Sequence, residues 1–412
     1  MRLLHTSDWH LGQTLHDFDR THEHQHFLDW LLDTLQAERT ELLLIAGDIF
    51  DNANPSAASQ RQLYRFLADA RARMPRLAIV LVAGNHDSPG RLEAPVPFLG
   101  HFGATCVGGV QRGADGTIDV ERMVVPVRNG DGAIAAWCLA IPFLRAGDVP
   151  RIETDGDAYQ AGVARLYRDA LDLALARREP HQPIIALGHC HMRDGLTSED
   201  SERRVVVGGA EALPAGIFDP AIAYVALGHL HLAQTVGKHA HIRYSGSPLP
   251  MSFSEIHYPH QVLGVDIEDG ALRDVRAIAV PRPVPLLRVP PTPRPLDEVL
   301  TALRALALPD LPTERQPYLQ VRVRLDAPEP ALRARIEAEL DGKAVRLARI
   351  EVSASAATGD AAVPVLSLDE LGRLDPAAVF ARLYRERHDG DAPAELAAAL
   401  TALMNVADEA TP

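Results

Sequence analysis

Over its first 270 residues the chain alternates short apolar runs with longer stretches in which apolar residues return every three or four positions. The runs are Leu3-Leu4, Leu42 to Ala46, Leu77 to Ala83, Ile184 to Leu187 and Tyr224 to Leu227. Several are apolar without a break, as expected of strands covered on both faces. Between them a helical period runs through Phe27 to Leu35, Ser59 to Ala72 and residues 160–178, where Val163, Leu166, Tyr167, Leu171 and Leu175 share one face. This alternation predicts an α/β or α+β core, a sheet flanked by helices.

The pattern changes near residue 281. Pro281, Pro283, Pro285, Pro290, Pro291, Pro293 and Pro295 crowd a stretch that cannot be a helix interior and reads as a linker holding an extended strand. Beyond it, Leu296 to Leu308 and Pro330 to Leu340 read as helices, and Tyr318 to Leu325 and Val345 to Val352 as strands. Together they make a small α+β domain. Residues 353–364, rich in Ser, Ala, Thr and Gly, read as a loose linker. Two helices follow, at about 376–388 and 393–408. The expected division is 1–278, 279–353 and 354–412, in keeping with a length of 412 residues, too great for one compact core.

Composition narrows the picture a little. No apolar stretch reaches the roughly 20 residues of a membrane span. The first residues turn polar too early for a signal peptide, so a cytoplasmic protein is expected. Cys106, Cys138 and Cys190 form no CxxC pair, which argues against a disulfide framework and a thiolate zinc site. The net charge of −14 speaks against binding nucleic acid by bulk electrostatics.

The chemistry sits where the apolar runs end. Leu3-Leu4 leads to Asp8 and His10, Leu42 to Ala46 to Asp48, and Leu77 to Ala83 to Asn85, His86 and Asp87. Ile184 to Leu187 leads to His189, and Tyr224 to Leu227 to His229 and His231. In open α/β sheets sites form beyond the carboxyl ends of strands, so these five ends are expected to converge. If the backbone stays extended, Asp8 with His10 and His229 with His231 each face one way. Glycines precede Asp48, Asn85, His189 and His229, where a tight turn is needed. A donor set of imidazole, carboxylate and amide oxygen suits Mn²⁺, Fe²⁺ or Zn²⁺. Asp48 could bridge two ions about 3.5–4 Å apart, the spacing of two-metal phosphoryl-transfer sites. Residues 188–192 read Gly-His-Cys-His-Met, so His191 competes with His189.

The order DxH, GDxFD, GNHD, GH, GHxH resembles the calcineurin-like metallophosphoesterase superfamily. More narrowly, the stretches at 4–13, 46–51, 83–89, 226–231 and 244–253 are similar to the SbcD nuclease family. The resemblance implies a metallophosphoesterase β-sandwich core flanked by helices, a small capping domain facing DNA and a C-terminal segment that holds a partner. It implies that Asp8, His10, Asp48 and His231 hold one metal and Asp48, Asn85, His189 and His229 the other, with Mn²⁺ preferred. His86 would act as the acid toward the leaving oxygen, oriented by Asp87. The implied activity is two-metal hydrolysis of DNA: ATP-dependent double-strand exonuclease and single-strand endonuclease action, as in DNA repair. The implied partner is an SbcC-type SMC-like ATPase, with a homodimer inside a heterotetramer. A rival of the same chemistry is a nucleotide phosphatase or cyclic-nucleotide phosphodiesterase, which would not need residues 281–412.

Other features carry less. His22, His24 and His26 read as a solvated helix start, and Arg61, Arg65, Arg71 and Arg73 as a charged helix face. Arg91, soon after the GNHD motif, is the better candidate for a DNA contact. Ser245 to Pro248 reads as a loop closing the site, and His239, His241, His257 and His260 as surface residues.

Overall fold

A computed structural model describes residues 1–193, 195, 196, 212–354, 384, 393 and 396. It divides into two compact units, Met1–Arg288 with Ala307–Gln320 and Asp341–Arg349, and Val289–Leu306 with Val321–Leu340 and Ile350–Pro412.

The first unit is built on two six-stranded sheets. One runs Ala271–Ala279, Gln261–Glu268, Arg2–Thr6, Leu42–Ala46, Ala78–Val82, Ala104–Val107. The other runs Gln234–Val236, His239–Tyr244, Ile222–Gly228, Ile184–His189, Ile134–Ile141, Val124–Arg128. Period-two alternation explains why the central strands are apolar throughout. In Leu42–Ala46, residues Leu42, Leu44 and Ala46 share a core with the second sheet. Leu43 and Ile45 turn outward onto Phe27, Leu31, Leu63 and Phe66 of the helices Thr21–Ala37 and Ala57–Arg73. The helix Ala158–Arg177 covers the second sheet with Val163, Leu166, Tyr167 and Leu171, while Leu175 stays exposed. The layers are therefore helix, sheet, sheet, helix, the expected sandwich.

Register sets where these strands finish. Thr6 pairs with Ile45, and Ala46 with Val82, all in parallel. In the other sheet Gly228 pairs with His189, and Ile141 with Gly188, again in parallel. Parallel pairing brings the carboxyl ends of five strands to one end of the sandwich, and the polar motifs with them.

Helix boundaries follow local chemistry. Ser56 and Asp157 cap the second and third helices by accepting from the N–H groups of Ser59 and Gln160. The strands Val124–Arg128, Ile134–Ile141, Gln261–Glu268 and Ala271–Ala279 are additions to those that the apolar runs predict. Pro126 interrupts the first of them and lies exposed on an edge strand, the place a sheet tolerates proline.

The proline-rich stretch does carry a strand, Leu286–Pro295. It forms a three-stranded sheet with Tyr318–Leu325 and Arg346–Ala354, and the division between units falls inside these strands. In the second unit the helices Leu296–Ala305 and Leu332–Leu340 are joined by ion pairs Arg304–Glu339 and Arg335–Asp297. The expected helices at 376–388 and 393–408 lie outside the described residues, apart from positions 384, 393 and 396. Among the described residues no helix is long and apolar enough to cross a membrane.

Candidate metal centre

Each motif enters the site at the end of a strand or just past it, and several of its side chains are held by main-chain hydrogen bonds. Asp48 Oδ1 accepts from the His86 N–H at 2.8 Å, and Asp8 Oδ1 from the His229 N–H at 3.0 Å. Ser7 Oγ donates to Asp8 Oδ2 at 2.5 Å. Asp87 is buried and takes three N–H groups, those of Ile49, Phe50 and Gly84, so it pins the Asp48 loop to the Asn85 loop. It does not serve as the orienting partner expected for His86. That partner is the main-chain carbonyl of Asp51, 2.7 Å from His86 Nδ1.

The structure brings all seven expected ligands together. Asp8, His10 and His231 present ligand atoms within 4.8 Å of one another, as do Asp8, Asp48 and His189. Asn85 Oδ1 lies 3.0 Å from His189 Nε2 and 2.9 Å from His229 Nδ1. Asp48 Oδ2 lies between the two groups, 3.7 Å from His10 Nε2 and 3.4 Å from His189 Nε2. His10 Nε2 is buried with no hydrogen-bond partner, an orphan aimed at carboxylates. Such an atom, in a set of imidazole, carboxylate and amide donors, fits a pair of divalent cations. His191 is half-buried, its ring centroid 5.9 Å from that of His229.

The means of convergence differs from the extended alternation expected. Asp8 (φ 54°), His10 (φ 47°), Asp48 (φ 47°) and His229 (φ 106°) all adopt positive φ, a costly conformation for non-glycine residues. Left-handed turns, not strand pleating, aim them inward. Close approach explains two of the glycines. A Cβ at Gly228 would stand 1.9 Å from the Ala46 carbonyl oxygen, and one at Gly84 2.1 Å from Asp48 Oδ1.

Charge is concentrated here. Burial opposes ionisation of Asp48, yet the imidazoles of His189 and His10 outweigh it and hold the carboxyl well below its usual range. Burial also works against a charged His189, but Asp48 and Asp8 lift it to about 9. Asp8 is pushed up, burial outweighing the nearby histidines. Burial and His189 push His229 down, which keeps its imidazole neutral. Burial also lowers His86.

Two partners of the ligands are given no role by the sequence: Asp51 lies inside the GDxFD motif and Glu255 outside every motif. Asp51 Oδ1 lies 3.4 Å from His10 Nδ1. Glu255, fully buried, lies 2.8 Å from His231 Nδ1. The recognisable motif at 244–253 stops two residues short of it. Two expectations of exposure also fail. His260 is buried between the carbonyls of Ser247 and Glu255, and His24 is buried in the helix start while His22 and His26 are exposed. Ser245 and Ser247 are buried, with Ser245 Oγ 2.8 Å from Ser7 Oγ.

Residues 1–233 match the family described as calcineurin-like phosphoesterase, and 282–388 match SbcD_C, described as type 5 capsule protein repressor C-terminal domain. The chain is 42% identical over 389 residues to the SbcD component of the SbcCD nuclease of Rhodobacter capsulatus, covering 93% of this chain and 94% of that one. It is 34% identical to the SbcD protein of Escherichia coli, covering 69% and 70%, and 35% identical to that of Bacillus subtilis, covering 66% and 67%. With the ligand set, strand-end geometry and sequence all in agreement, the chain belongs to the calcineurin-like phosphoesterases, in the family of SbcD nucleases.

Proposed function

We propose that the chain cuts DNA as the metal-dependent nuclease component of an SbcCD-type complex, working on duplex ends, hairpins and single strands. The observation that carries this reading is the convergence of seven buried or half-buried ligand residues at one end of the sandwich, around the shared Asp48. Asp8, His10, Asp48 and His231 would hold one divalent ion, and Asp48, Asn85, His189 and His229 the other. Mn²⁺ is the preferred candidate. Bound there, the ions supply Lewis acidity at the phosphate and a nucleophile at neutral pH.

The chain's own groups supply the rest. A carbonyl oxygen can only accept, so the 2.7 Å contact with Asp51 puts a proton on His86 Nδ1. His86 Nε2 is then the atom that moves a proton to the leaving oxygen. Burial lowers the basicity of His86, which makes its protonated form a stronger donor. The His10 ring stands edge-on to it at 4.9 Å and limits how the imidazole can tilt.

Residues 279–353 are proposed to face DNA, and 354–412 to dock an SMC-like ATPase that supplies much of the DNA-binding surface an acidic chain lacks. A homodimer within a heterotetramer and a cytoplasmic location complete the proposal. The test is co-purification with the ATPase, followed by degradation of duplex DNA with blocked ends in Mn²⁺ and ATP. Progressive, ATP-dependent degradation is expected. Hydrolysis of a cyclic nucleotide or nucleoside monophosphate with no cleavage of DNA in the presence of the ATPase would overturn the substrate assignment.

A further inference from the structure

Four of the proposed ligands are histidines, and a histidine binds a cation only through a ring nitrogen that carries no proton. What fixes the proton therefore differs from ligand to ligand. His189 has its Nδ1 2.8 Å from the main-chain carbonyl of Ala46, a neutral acceptor. His231 has its Nδ1 2.8 Å from Glu255 Oε1, a buried carboxylate. Glu255 is itself held, because Oε2 accepts the Met251 N–H at 2.7 Å. The segment carrying Met251 is tied back to the stretch that precedes the first helix: Gln13 Nε2 donates to the Met251 carbonyl at 3.3 Å, and Arg20 Nη1 to the Pro250 carbonyl at 2.8 Å. Arg20 is buried and clamped by both oxygens of Glu23, which also accepts from the Tyr318 hydroxyl.

We propose that Glu255 is a positioning residue for the ion shared by Asp8, His10, Asp48 and His231: it holds His231 as the Nδ1–H tautomer, leaving Nε2 for the metal. The proposal rests on the two-ion reading above. An ionised carboxylate only accepts, so both N–H groups facing Glu255 are satisfied and the opposite tautomer of His231 is excluded. Glutamine cannot do this. With its oxygen toward His231, its amide NH₂ meets the Met251 N–H donor to donor. With its oxygen toward Met251, its NH₂ donates to His231 Nδ1 and moves the imidazole proton to Nε2, the atom the metal needs. Either orientation weakens one ion and leaves the His189 side alone, since that histidine is oriented by the Ala46 carbonyl.

The experiment titrates the metal-free full-length chain and its Glu255→Gln variant with Mn²⁺, by calorimetry and by electron paramagnetic resonance. Wild type is expected to bind two ions. The variant should keep the affinity of one and lose about 10- to 100-fold for the other. Two ions bound with unchanged affinities in the variant would overturn the role of Glu255 and leave the two-ion reading standing. Equal weakening of both ions, with a lowered melting temperature, would mark a general structural role and overturn it too. Failure of the wild type to bind Mn²⁺, Zn²⁺ or Fe²⁺ would overturn the two-ion reading itself. An independent measurement does not depend on the variant folding. In ¹⁵N spectra of the metal-free wild type, with the signal assigned by its loss in His231→Gln, His231 should appear as the Nδ1–H tautomer. The Nε2–H tautomer there would overturn the proposal.

Discussion

His86 shows how one side chain is prepared by its neighbours. Its Nδ1 is committed to the Asp51 carbonyl, its N–H holds Asp48 Oδ1, and its ring packs edge-on against His10. It is therefore expected to act on protons while leaving the cations to others. His86→Ala should lower turnover on DNA by about 10²- to 10⁴-fold, the usual range for a general acid. Metal content by elemental analysis should remain at two ions per chain, and loss of an ion in this variant would reassign His86 as a ligand. The motifs make these residues legible because metal and acid chemistry demand particular side chains. Glu255 is not legible, and Asp51 and Ser7 show no orienting role although they lie inside recognised stretches, because any residue with an acceptor or hydroxyl at the right point in space can orient another. Asp87 illustrates the same gap. Adjacency in sequence suggests a partner for His86, whereas the fold gives its carboxylate three N–H groups and, through burial and then the charge of Asp48, lifts it to about 6.

At the scale of elements, apolar run-length locates the central strands well, since a strand buried on both faces has little freedom in composition. The run Leu42 to Ala46 is the strand itself, and Tyr318 to Leu325, read from its alternation of apolar and basic residues, is a strand with those same bounds. Peripheral strands such as Ala271–Ala279 hold only exposed and half-buried residues, without strict alternation, and share that pattern with loops. One contact between the sheets has a measurable consequence. His5, in strand Arg2–Thr6, reaches the Tyr224 hydroxyl at 3.0 Å and the Leu227 carbonyl at 3.1 Å in strand Ile222–Gly228. Burial drives its pKa down to about 3, against a partial rise from the Leu227 carbonyl. The folded protein thus keeps His5 neutral where the unfolded chain, titrating near 6.5, takes up a proton. The stability so linked is fully present above pH 6.5 and is lost as the pH falls toward 3. Between pH 7 and pH 5 the loss from this residue should be about 2 kcal/mol. Urea unfolding of wild type and His5→Gln at both pH values measures it. The variant should start less stable at pH 7 and lose less on acidification, and equal losses in the two proteins would refute the account.

The whole molecule combines a strongly negative charge with a polyanionic substrate. Positive charge near the site must then be local, and Arg91, exposed on the short helix Pro89–Glu93 that follows the Asn85–His86 turn, is a candidate to provide it. Arg91→Ala should weaken DNA binding by the complex and reduce the slope of log affinity against log salt by about one, the signature of one lost phosphate contact. An unchanged slope would remove Arg91 from the DNA path. The four ligand residues at positive φ have a further consequence. Their conformation suits metal binding, but glycine adopts it most readily and asparagine and aspartate next, so at His10 and His229 selection for catalysis holds the side chain against the preference of the backbone. His10 makes this measurable, because its φ is 47° and its Nε2 has no hydrogen-bond partner. In the metal-free protein, His10→Gly should be more stable to urea unfolding than His10→Ala, by about 1 kcal/mol, the reverse of the usual order for these two residues. A descendant freed from the need to cut DNA would therefore drift first at these turns, toward glycine and asparagine. Their loss would precede any decay of the apolar strands beneath, so glycine at position 8, 10 or 48 would be an early sign of a lineage that had kept the scaffold and abandoned the chemistry.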